Sequence, residues 1–120
     1  MGLTKVTAKL CDLAKKNPPF EAVFLVDTGS IDCLAGSDVL VATGIQPEGK
    51  DSYELANGEP VEYQYGYARL SFMGADTVVK IIFGPPNSEP LLGAVALEVA
   101  GMTVDPVTRT LKRLPTRSLK

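Results

Sequence analysis

The sequence predicts a mostly-β domain with one or two short helices. Several runs of about 4–8 apolar or alternating residues are punctuated by Gly, Pro and Asn, which is how short strands read. The pair Asn57-Gly58 stands between two such runs, and Asn-Gly is the strongest short-range hairpin signal. Helical stretches are brief: 94–100 is rich in helix formers, and 39–43 is bounded by helix start and stop signals despite its valines. The chain has 120 residues, 45% hydrophobic and 22% charged, which suits one globular domain over 1–120 with a single core.

In chain order, Val6, Ala8 and Leu10 alternate with Thr7 and Lys9, giving a half-buried strand. Asn17-Pro18-Pro19 breaks it, and Phe20–Val26 reads as an interior strand. Ser37-Asp38 starts and Gly44 stops a short helix around Val39–Thr43. Strands at Ser52–Leu55 and Val61–Tyr67 flank the Ala56-Asn57-Gly58 hairpin. Arg69–Met73 and Thr77–Phe83 are further strands around Gly74. A loop from Gly84 to Pro90 leads through Leu91-Leu92-Gly93 into a helix over Ala94–Ala100 that ends at Gly101. Met102–Val104 and Thr110–Leu114 read as short strands joined by a turn at Asp105-Pro106.

The chain has no histidine. That excludes Ser-His-Asp and Cys-His nucleophiles, His-ligated zinc and His general bases. Its two cysteines, Cys11 and Cys33, are too few for a zinc knuckle or a disulfide framework. Chemistry must then come from carboxylates, hydroxyls, lysines or a bound ion.

The net charge of −2 is unevenly spread. A basic C-terminal tail over 109–120 carries Arg109, Lys112, Arg113, Arg117 and Lys120 without an acid. No aromatic residue interleaves with these charges, so no nucleic-acid partner is expected, and the tail reads as a solvated terminus. No apolar run approaches the roughly 20 residues of a membrane span, so no membrane partner is expected either. The start, Met1 to Val6, lacks a signal-peptide hydrophobic region and has Val6 where myristoylation wants Ser or Thr. The expectation is a cytoplasmic protein with reduced thiols.

The decisive segment is Val23-Phe24-Leu25-Val26-Asp27-Thr28-Gly29-Ser30. A carboxylate at the end of a buried apolar strand is costly unless hydrogen bonds or function maintain it. Gly29 lets backbone amides come close to it, and Thr28 and Ser30 add hydroxyls on either side. Asp-Thr-Gly-Ser is also a common turn composition, and alone it carries no more than that.

With the Asn57-Gly58 hairpin and Leu91-Leu92-Gly93 in the same order along the chain, the sequence resembles the retropepsin-like aspartic proteases. These are single-domain relatives of retroviral proteases, found also in bacteria and archaea. The resemblance runs from about Phe20 to Pro106. It implies a closed acid-protease-like β-barrel with a flap hairpin. Asp27-Thr28-Gly29 matches the catalytic triplet, and Ala56-Asn57-Gly58 the substrate-binding flap tip. Leu91-Leu92-Gly93 matches the segment supporting the catalytic loop, and Val104-Asp105-Pro106 is similar to the ending of many prokaryotic members. Two departures stand out: the retroviral Asp two residues after the triplet and its Arg partner are Ile31 and Ala94 here. Both charges are missing together, so any dimer contact they supply must be replaced.

Peptide hydrolysis by carboxylates needs two of them, one ionised and one protonated, holding a water. Two like charges about 3 Å apart cannot both ionise, so they share a proton and titrate as a pair. This chain offers one such Asp, and an isologous homodimer would supply its copy. The resemblance implies that Thr28 braces the two loops; Ser30 would help hold the carboxylate and the flaps would exclude water. No cofactor is needed.

Other candidates have simpler readings. Asp32 and Asp38 suit a surface position or a helix first turn. Asp51, Glu54, Glu59 and Glu62 could bind a metal, but their spacing is that of a flap's solvent face, so no metal is expected. Cys33 reads as a buried inert thiol. The expected function is an aspartic endopeptidase acting on extended peptide or protein segments bound as an added strand. The alternatives are a non-catalytic peptide- or protein-binding domain of the same fold and an unrelated β-barrel binding module.

Overall fold

The computed structural model describes residues 4–116. Met1–Leu3, and Arg117 and Lys120 of the basic tail, lie outside the described residues.

The chain begins with antiparallel strands β1 (Lys5–Cys11) and β2 (Phe20–Val26), Leu10 opposite Phe20 and Lys5 opposite Leu25. The loop after β2 leads to a short strand β3 (Cys33–Gly36) and helix α1 (Ser37–Ala42). Strands β4 (Gly49–Glu54) and β5 (Pro60–Phe72) form the hairpin, and β6 (Ala75–Gly84) returns antiparallel to β5. Then come β7 (Leu91–Leu92), α2 (Ala94–Ala100), β8 (Met102–Val104) and β9 (Leu111–Arg113).

The main sheet runs β1-β2-β7-β3-β6-β5-β4, and a further pairing of β1 with β5 joins its ends. Six strands, β1-β2-β7-β3-β6-β5, thereby close a mixed barrel, while β4 projects from it along β5. Closure leaves the barrel no free edge, and the registers fix which side chains point in. Leu10, Phe24, Leu70, Ile81 and Leu92 point inward and are fully buried. The alternation in β1 is as expected, with Ala8 and Leu10 buried and Thr7 and Lys9 exposed.

Several expectations change. β2 is interior in its pairing, but a barrel wall has an outer face, and Val23 is 53% exposed. Conversely, β6 is buried at Ile81, Ile82, Phe83 and Gly84 in succession, because α2 packs against it. The runs 61–67 and 69–73 are one strand of 13 residues, β5. Its first half pairs with β4 and its second with β1 and β6, so the change of partner occurs without a break in the chain. β3 carries no alternation and was not expected from the sequence. The basic tail is exposed, as expected, but it is structured up to Leu114: β9 pairs with β8, and the Arg113 guanidinium donates to the Met73 carbonyl.

Two turns are carried by carboxylates. Asp12 accepts the Lys16 and Asn17 amides at 3.1 Å each, and Asp105 accepts those of Val107 at 2.9 Å and Thr108 at 3.3 Å. These bonds, Lys16 foremost for Asp12 and Val107 for Asp105, hold both carboxyls below the usual carboxylate range. A carboxyl depressed in the folded state stabilises above its unfolded pKa, about 3.9, and that contribution fades as pH falls through the folded value. The urea midpoint is therefore expected to hold from pH 7 to about 5 and fall below about pH 4. An Asp12→Asn/Asp105→Asn variant should show a shallower fall; an identical fall would contradict the assignment.

Candidate active site

β2 delivers Asp27 to the rim of the barrel, where the chain leaves the sheet. The Asp27 amide donates to the Leu92 carbonyl at 3.0 Å, so β7 holds the loop at its root. The loop closes on itself through Ser30 N–H to the Asp27 carbonyl at 3.1 Å. The Asp27 Oδ1 accepts the Gly29 amide at 3.0 Å. A Cβ at Gly29 would stand 3.3 Å from that same oxygen, so the glycine keeps the carboxylate's surroundings open. Thr28 is exposed, as is Ile31 at 69%.

The Ser30 hydroxyl is turned away from Asp27 and donates to the Asp32 carbonyl at 2.8 Å. Within one chain, Ser30 thus stiffens the loop rather than holding the carboxylate.

Leu91, Leu92 and Gly93 sit beneath this loop. Leu91 and Leu92 pair in parallel with Leu25 and Val26, and Leu91 also opposes Leu34. Leu92 is fully buried. From the first turn of α2, Ala94 N–H reaches the Ser30 carbonyl at 2.8 Å and Val95 N–H the Ile31 carbonyl at 3.2 Å. Gly93 has a steric reason: a Cβ there would lie 2.5 Å from the Asp32 carbonyl oxygen and 2.8 Å from that of Ile31. Backbone cannot yield as a flexible side chain does. Gly93→Ala is expected to cost about 1–3 kcal/mol, as overpacking does, and to displace the loop. Urea denaturation reads the first effect, and amide shifts at 27–32 read the second.

The hairpin tip is a three-residue loop. Leu55 N–H meets the Glu59 carbonyl at 2.9 Å, Gly58 N–H the Leu55 carbonyl at 2.8 Å, and Asn57 Oδ1 accepts the Glu59 amide at 3.0 Å. Gly58, at φ 85°, supplies the left-handed residue this loop length requires. Ala56, Asn57 and Gly58 are all exposed.

A cleft of about 330 Å³ separates the Asp27 loop from the tip-side half of β4. Gly29, Ser30, Ile31 and Asp32 form one wall, and Ser52, Tyr53 and Glu54 of β4 the other, with Ile82 of β6 completing it. A wider hollow of about 520 Å³ lies against Ser37, Lys50, Glu62 and Phe83. It borders no residue of the Asp27 loop.

Asp32 differs from the surface residue expected. Its side chain is 13% exposed, accepts the Tyr53 hydroxyl at 3.1 Å and lies 3.8 Å from Lys80 Nζ. Lys80 also pairs closely with Asp51 and stands 4.3 Å from the centre of the Tyr65 ring. The bond to Asp51 above all pushes the Lys80 ammonium well above its ordinary range. Burial first, then the charge of Asp32, raises the Tyr53 phenol. The sequence held one signal for this cluster: a lysine inside the apolar run 78–83.

Asp51 therefore does not share a solvent face with Glu54, Glu59 and Glu62; it turns toward Lys80, while Glu62 lies 4.0 Å from Lys50. Among the described residues no group of three His, Cys, Asp or Glu side chains is placed to hold a metal. Asp38 is in the first turn of α1 and accepts the Asn87 amide at 3.2 Å.

Cys33 is buried, and burial pushes its thiol up to about 11. Cys11 is half-buried. A disulfide reagent at pH 8 is expected to label one thiol per native chain, at Cys11, and two after denaturation. Rapid labelling of Cys33 in the native state would contradict this placement.

No helix of the described residues is long and apolar enough to cross a membrane. No family model matches the chain, and no curated protein does. Among solved structures, the chain is similar to the solution structure of Simian Foamy Virus (mac) protease, with a TM-score of 0.55 and 12% identity. The match covers 78% of this chain and 90% of that one. The likeness is one of fold: the closed six-stranded barrel of this chain is similar to that of a viral protease.

Proposed function

We propose that the chain is one half of an aspartic endopeptidase, active as a homodimer in which Asp27 faces its own copy across a two-fold axis. The observation that carries this is an Asp-Thr-Gly loop pinned at the barrel rim by Leu92 and Ala94, on a fold similar to a viral protease. One chain carries one such loop, and two carboxylates are needed to share a proton. In the dimer the ionised Asp27 takes a proton from a water as it attacks the peptide carbonyl. The protonated copy polarises the carbonyl oxygen and then protonates the leaving amine.

The exposed Thr28 is available to brace the two loops across the axis, and Gly29 leaves room for the water. The cleft between the loop and β4 suits an extended peptide, bound as an added strand under the hairpin Ala56-Asn57-Gly58. With Ile31 and Ala94 in place of a charge pair, apolar contacts beside the loop take over part of the dimer interface. Two free cysteines fit a cytoplasmic setting.

The second reading, a binding domain of the same fold, keeps the cleft and drops the chemistry. The two separate when the chain is incubated with a peptide library between about pH 3 and 7.5 and the products are sequenced. Internal cuts insensitive to chelators and to serine and cysteine reagents are expected. Peptide retention without a cut at any pH would favour the second reading.

A further inference from the structure

We propose that Asp32 and Tyr53 are positioning residues whose hydrogen bond latches the hairpin onto the loop that carries Asp27, while Lys80 pins the base of β4. This rests on the cleft being the peptide site, as proposed above.

β4 has little else to hold it. It lies outside the closed barrel and pairs only with β5. Its burial alternates between half-buried and exposed, and none of its residues is buried in the core. A two-stranded ribbon is marginal by itself, and the hairpin's half-buried side, with Tyr53, Val61, Tyr63 and Tyr65, places none of these in the core, so its position against the barrel depends on the few contacts it makes. Two of these are specific. Asp51, near the start of β4, pairs with Lys80 of β6. Tyr53, two residues nearer the tip on the same face, reaches across to Asp32. Lys80 also lies 3.8 Å from Asp32, so one ammonium tethers both carboxylates.

The geometry gives the two contacts different duties. Asp32 and Tyr53 stand on opposite walls of the cleft, so their hydrogen bond spans it. A peptide strand entering between those walls must displace that bond. The Asp51–Lys80 contact joins β4 to the barrel outside the cleft lining and survives entry. The hairpin therefore lifts from the Tyr53 end and pivots at the Asp51 end.

The latch is tested by relaxation dispersion on amides 49–59 in the wild type, Tyr53→Phe, Asp32→Ala and the double variant, which gives the lifted population directly. Each single variant is expected to raise that population about fivefold to tenfold, the scale of one partly exposed hydrogen bond to a charged group. The double variant should do no more than either single, because both remove the same bond. In Asp32→Ala the Tyr53 titration, read by NMR on labelled tyrosine with Asp51 and Lys80 still facing it, should move down toward the ordinary tyrosine value. Peptide association with the Asp27→Asn protein should accelerate in step with the lifted population when Tyr53→Phe is added. An unchanged population, or single effects that add in the double variant, overturns the latch. None of these readouts needs turnover, so a chain that cleaves nothing defeats the protease reading and leaves this test intact.

Discussion

Replacing Asp27 by Asn is expected to lower the rate of peptide cleavage by about 10²–10⁴-fold, the contribution of a positioned acid–base group, without unfolding the protein. The fold should survive because Asn keeps an Oδ1 that can accept the Gly29 amide, the contact Asp27 makes now at 3.0 Å. The backbone bonds to Leu92 and within the loop do not involve the side chain at all. What the amide cannot do is share a proton with its copy and accept another from water. Stability, read by urea denaturation, should therefore change by no more than about 1 kcal/mol, the scale of one hydrogen bond. Cleavage that survives the substitution would place the chemistry elsewhere.

Phe24→Ala is expected to be the most damaging core substitution, costing about 3–5 kcal/mol. Phe24 heads the fully buried side chains in volume and is 0% exposed. It sits opposite Val6 on β1, in the strand that leads into Asp27. The cost has two parts, lost transfer of the ring from water and a cavity that barrel walls on every side cannot collapse. Against a typical total of about 5–15 kcal/mol, this removes a large fraction of the stability. Since Phe24 is three residues from Asp27, the variant should also loosen the loop before the barrel melts, visible as exchange at amides 27–32 ahead of global unfolding. A cost below about 1.5 kcal/mol would mean that the barrel repacks more freely than its closed geometry implies.

Much of the fold was legible because its signals are local. Phe20–Val26 is found where its composition puts it, and the helix over Ala94–Ala100 ends at Gly101 in the left-handed region, φ 74°. The Asp27 loop and its supports were legible as a constellation: Leu92 and Gly93 touch the loop through backbone, and the glycine is required by a 2.5 Å approach. What escaped the sequence depends on tertiary partners. β3 is four residues whose strand character comes from β6 and β7 on either side. The continuity of β5 comes from changing partners along one strand. The hairpin after Phe72 turns through Met73 at φ 49° and Gly74 at φ 79°, and no local rule would put methionine there. Asp32 reads as a surface acid in the sequence because Tyr53 and Lys80, 21 and 48 residues away, are brought to it by the barrel.

The proposed function rests on one central claim: the active species contains two chains, each supplying one Asp27. The most direct test is the rate of peptide cleavage as a function of protein concentration, with mass in solution followed over the same range. A rate that grows with the square of concentration where the protein is mainly monomeric, and linearly once it is dimeric, is the predicted result. A rate strictly linear in concentration from a protein that stays monomeric throughout would contradict it.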